Sequence, residues 1–88
     1  AKESYFYFET KKIIEKEKFE NFAKNMPKNI YRVKGFVKSN EGDLLFNFVA
    51  GRYDFEDFKT SNTELVFIGE NISKINNKVL KELENTIM

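Results

Sequence analysis

Between residues 31 and 37 the chain reads Tyr31-Arg32-Val33-Lys34-Gly35-Phe36-Val37, and this stretch limits the fold more than any other. Cationic and apolar residues alternate, and alternation with period two is the signature of a strand. Arg32 and Lys34 then fall on one face of that strand, with Ile30, Phe36 and Lys38. Gly35 marks a bulge or a point where another backbone comes close. A second block, Leu65-Val66-Phe67-Ile68-Gly69, follows about thirty residues later. Its unbroken apolar character suggests a central strand, and Gly69 carries the same two readings as Gly35.

The remaining elements arrange themselves around these two strands. Ser4 to about Lys12 alternates with bulky residues on both faces, Tyr5 and Tyr7 on one and Phe6 and Phe8 on the other. This reads as a strand that is largely covered. Lys11 to Ile14 is ambiguous between a strand end and a helix start. From Glu15 to Met26 the period changes, because Phe19, Phe22, Ala23 and Met26 recur at helical spacing among charged residues. That pattern predicts an amphipathic helix, ended by Pro27, which lacks an N–H donor and disfavours helix before it.

Ile30 to Ser39 is the second strand, Asn40-Glu41-Gly42-Asp43 a polar turn, and Leu44 to about Tyr53 the third strand. Asp54 to Asn62 reads as a short loop or a strand continuation. Glu64 to Gly69 is the fourth strand. Ser73 is a suitable N-cap for a closing helix with Ile75, Val79, Leu83 and Ile87 on one stripe and Leu80 beside it. The expected fold is α+β, a four-stranded, mostly antiparallel sheet with two helices on one face. Its order is β-α-β-β-β-α, and it forms a single domain over residues 1–88.

Composition narrows the function. There is no His and no Cys, so the usual general base and the commonest activated nucleophiles are unavailable. Zinc, copper and nickel favour those same residues, and no calcium-loop spacing is present, so no metal site is expected. Glu15 with Glu17, and Glu82 with Glu84, are paired carboxylates, but they sit on lysine-rich helices and read as solvated faces. Nothing matches the phosphate loop GxxxxGK[ST]. The net charge of +1 lacks the basic excess of a dedicated nucleic-acid binder. Lys34-Gly35-Phe36-Val37 matches part of the RNP1 strand signature, but the following small residue and second aromatic are missing. No apolar run approaches eighteen residues, so no membrane span is expected. Absence of Cys fits a reducing compartment, and a cytoplasmic location is the expectation.

Arg32, Lys34, Phe36 and Arg52 are the candidate docking residues. A sheet face left bare by the helices and lined by Arg and aromatic side chains has the make-up of an interface. The plain alternative is a solvated face.

The whole arrangement resembles the C-terminal domain of CobW-type GTPases, the nucleotide-driven metal chaperones. The resemblance rests on Phe19 and Phe22 in the first helix and on Arg32-Val33-Lys34-Gly35-Phe36-Val37, with Val33 where Ala is more usual. It continues through Leu65-Val66-Phe67-Ile68-Gly69 to Ile72, Leu80 and Leu83, and covers residues 4–87. Phe55 and Phe58 stand where the family often has Trp, and the His-rich stretches common beside the domain are missing. The resemblance implies a larger protein of which this is a fragment, and the opening Ala1 fits an excised domain. An N-terminal GTPase domain would hold GTP, Mg and a Cys-rich metal motif, and would deliver zinc or cobalt to a client metalloprotein. The present domain would hold no cofactor and catalyse nothing. It would pack against the GTPase domain or contact the client. The runner-up is a stand-alone RNA- or ligand-binding module.

Overall fold

The computed structural model describes residues 3–88. They form β1 (Glu3–Thr10), α1 (Lys16–Lys24), β2 (Ile30–Ser39), β3 (Gly42–Val49), β4 (Arg52–Asp57), β5 (Thr63–Glu70) and α2 (Asn76–Glu84). A 3-10 turn at Ile72–Lys74 precedes α2. The strands make one antiparallel sheet in the spatial order β1-β5-β2-β3-β4. The α+β class, the antiparallel sheet and the two helices agree with the sequence reading. The sheet has five strands where four were expected.

The extra strand arises at Ala50-Gly51. Both residues have positive φ, 49° and 86°, and Val49 pairs with Arg52 across a two-residue turn. Two positive φ values in a row match the right-handed twist of a hairpin. Ala carries no turn signal, so residues 44–53 read as one continuous strand. The turn is held from outside as well, because the Ala50 N–H donates to the Tyr31 carbonyl at 2.9 Å.

One sheet face carries the core. Phe46, Phe67, Leu65, Val33 and Val37 are fully buried there, and α1 lays Phe19, Phe22 and Ala23 over them. The Phe19 ring meets Phe46 edge-on at 4.9 Å, a favoured aromatic geometry. α2 adds Val79 and Leu83, both fully buried, with Ile75, Leu80 and Ile87 partly buried around them. Phe19, Phe22, Ala23, Val79 and Leu83 therefore face inward as the periodicity predicts, whereas Met26, Ile75 and Ile87 lie beyond the ends of the two helices.

Local details also depart from the sequence reading. β1 is an edge strand and is not largely covered: Phe8 is buried, but Tyr5 is 73% and Tyr7 49% exposed. Alternating bulky residues show the period and leave open what lies over each face. Ser73 does not cap α2; it sits inside the 3-10 turn, and Ile75 occupies the cap position. The ambiguous stretch before α1 is a linker that buries Ile14 completely. Ile14 bridges Ser39 in parallel and Ile87 antiparallel, tying the end of β2 to the chain's last residues.

Candidate docking surface

The register defines the second face of the sheet. Strand side chains alternate, so each row across the sheet presents one residue per strand. One row is Tyr5, Ile68, Arg32, Val49 and Arg52. The next is Tyr7, Val66, Lys34, Asn47 and Asp54. The third is Glu9, Glu64, Phe36, Leu45 and Glu56. Both helices lie on the opposite face with Phe46 and Phe67. Here Arg32, Lys34, Arg52, Tyr5, Tyr7 and Val49 are exposed.

All four candidate docking residues fall on this face. Arg32 and Lys34 are adjacent on β2, and Arg52 shares the row of Arg32 with Val49 between them. Phe36 is half-buried, because the Phe58 ring lies 5.0 Å from it and shields one side. Lys38 is half-buried too and is tied to the Asp43 carboxylate at 3.3 Å.

Ile30 does not share the face. A register shift between Ile30 and Arg32 inserts an extra residue opposite β5, and Ile30 turns inward to 2% exposure. An inserted residue reverses the facing of everything before it, which alternation alone cannot reveal. Gly35 and Gly69 are close-approach points. A Cβ on Gly35 would overlap the Glu64 carbonyl, and one on Gly69 would overlap the Asn29 carbonyl.

Charges on the face are unevenly satisfied. The Tyr7 hydroxyl donates to Glu64 at 3.1 Å, and the Tyr31 hydroxyl donates to Glu70. Desolvation and the adjacent Glu64 carboxylate raise the Tyr7 pKa above the usual phenol value. The cations differ. Arg32 has Ile68 and Val49 as cross-strand neighbours, and Lys34 has Val66 and Asn47. Among the described residues the ion pairs are Lys18 with Glu15 and Lys38 with Asp43, so Arg32, Lys34 and Arg52 have none. Tyr5, Tyr7, Val49, Val66 and Ile68 complete the surface. Only the pairing of β1 with β5 brings the tyrosines beside β2's neighbours, and sequence reasoning did not supply that pairing.

Among the described residues no group of three or more His, Cys, Asp or Glu could hold a metal ion. No helix is long and apolar enough to cross a membrane.

Residues 4–87 match the family described as the cobalamin synthesis protein cobW C-terminal domain. The chain belongs to that family. No curated protein matches it. Among solved structures, this CobW C-terminal domain is similar to a zinc-bound triple mutant of the YjiA GTPase. That likeness has a TM-score of 0.76 and 16% identity, over 98% of this chain and 30% of that one. It is also similar to the zinc-bound YjiA GTPase from E. coli, with TM-score 0.72 and 18% identity, again over 98% and 30%. At these identities the likeness is one of fold. The CobW C-terminal domain spans under a third of either GTPase chain.

Proposed function

We propose that this domain is the docking module of a CobW-like, GTP-dependent metal chaperone. Its open sheet face packs against the protein's N-terminal GTPase domain or receives the client metalloprotein. The observation that carries this reading is the face itself, where Arg32, Lys34 and Arg52 stand among Val49, Val66 and Ile68 with no ion-pair partner among the described residues. An apolar floor bearing Arg and aromatic side chains is what a protein partner can desolvate and pair with.

Catalysis lies outside this chain. The described residues offer no donor set for a transition metal, and the sequence lacks both His and Cys and a phosphate loop. In this reading GTP, Mg and the delivered metal belong to the other domain. Nucleotide binding there would reach this domain only by changing the contacts that the open face makes, since a ligand shifts an equilibrium by its differential affinity for the two states. The alternative, a stand-alone RNA-binding module, has less support. Glu9, Glu64, Asp54 and Glu56 share the open face with the cations and would repel a phosphate backbone.

The test is association of this chain with the separately produced GTPase half of its protein. Replacing Arg32 and Lys34 together by Ala is expected to weaken that association by about tenfold or more while leaving the unfolding midpoint unchanged. Unaltered association would remove these residues from the docking surface.

A further inference from the structure

The open face also specifies the shape and charge of what covers it, granted the docking reading above. Arg32, Lys34 and Phe36 lie in line on β2, the middle strand of the sheet. Alternate residues on a strand are about 6.7 Å apart, so the line has cations near 0 and 6.7 Å and an aromatic near 13 Å. An α-helix rises about 6 Å over four residues and about 12 Å over eight, and these positions fall on one stripe. The two repeats match along the strand direction.

The flanks select the same partner. Ile68 and Val66 on β5 border the two cations on one side, with Glu64 beside Phe36, and Val49, Asn47 and Leu45 on β3 border the other. Of the carboxylates on this side, Glu64 accepts from Tyr7, Glu70 from Tyr31 and Glu9 from Asn62, while Asp54 and Glu56 lie on β4, two strands away from the line. Two cations without ion-pair partners among the described residues, on a mainly aliphatic floor, are complementary to a partner with two carboxylates among apolar residues. Five strands about 4.8 Å apart and three rows give the whole face a footprint on the order of 400 Å² per side, of which a helix about 10 Å wide covers the middle strands. Counted on both partners, the whole face falls in the range of contacts between domains of one chain, and below the standard interface of two free proteins.

The geometry points to an amphipathic helix of the GTPase domain laid along β2. It carries acidic residues at positions i and i+4 against Arg32 and Lys34, and an apolar residue at i+8 against Phe36, in either chain direction. The helix is the covering layer that this sheet face lacks.

Zero-length carbodiimide coupling tests it, because that reagent joins only an amine and a carboxylate already in contact. The GTPase half is mixed with this chain carrying Arg32→Lys, which supplies an amine at both positions, and coupled peptides are identified by mass spectrometry. Two carboxylates four residues apart on one helix are the expected partners. The double charge reversal Arg32→Glu with Lys34→Glu is expected to weaken association at least tenfold. Replacing the two identified carboxylates by Lys is expected to restore it, which a merely structural role would not produce. Association with couplings to carboxylates of any other spacing, or with none at these positions, overturns the helix. Failure of the halves to associate at all overturns the docking reading, and the helix with it.

Discussion

Gly35 lies so close to the carbonyl of Glu64 on the neighbouring strand that no side chain fits between them. The contact sits at the centre of the sheet, where β2 is paired on both sides, and it lies between the cations and Phe36 on the same strand. Gly35→Ala must push β2 and β5 apart. The expected cost is on the order of 3 kcal/mol, comparable to other strained or overpacked core positions. Urea unfolding of the variant measures it, and a cost under about 0.5 kcal/mol would show that the strands yield freely.

The two sheet faces should respond oppositely to truncation. Phe19 is fully buried against Phe46, Phe22 and Phe55, whereas Tyr5 is 73% exposed. Phe19→Ala is expected to cost about 3–5 kcal/mol, much of the stability of a domain this small. Tyr5→Ala is expected to cost less than about 1 kcal/mol. Similar unfolding midpoints for the two variants would contradict the placement of the core.

Ala50 holds a left-handed backbone, φ 49°, at the turn between β3 and β4. A Cβ is unfavourable in that region by about 1–2 kcal/mol, a penalty that glycine avoids at some entropic cost. Ala50→Gly is therefore expected to stabilise the domain by about 0.5–1 kcal/mol, which thermal melts would register as a rise of a few degrees. A lowered midpoint would mean that the alanine is not strained.

Asp43 fastens the loop after β4. Its carboxylate accepts the Thr60 N–H at 3.2 Å and faces the Lys38 ammonium at 3.3 Å. The Thr60 hydrogen bond, aided by Lys38, lowers its pKa below the ordinary value. A depressed folded-state pKa contributes stability that is present above about pH 4 and lost as pH falls through the folded value. Asp43→Asn should be less stable than the parent at neutral pH. The difference should shrink as acid protonates Asp43 in the parent. Parallel stability curves from pH 7 down to pH 2 would rule out this role for the charge.

Sequence period was a sound guide wherever one element kept one rhythm. Phe19, Phe22 and Ala23 point inward because helical spacing puts them on one stripe, whatever packs against it. β2 was legible from Ile30 to Ser39 for the same reason, as was the shared face of Arg32, Lys34 and Phe36. Period misleads where one or two residues change the count. The turn at Ala50-Gly51 has no compositional mark beyond its glycine, and the register shift before Arg32 reversed Ile30 without altering the local pattern.

By itself, then, the sequence determined the class of the domain, the inward stripes of its helices and the alignment of its cations, all of which depend on near neighbours along the chain. Tertiary structure alone decided that β1 pairs with β5 at the sheet edge, that Tyr5 and Tyr7 join the cationic face, and that both helices of the described residues lie on the opposite face. Those outcomes depend on contacts between residues nearly sixty positions apart, such as Tyr7 with Glu64. Period within a strand cannot encode which other strand will lie beside it.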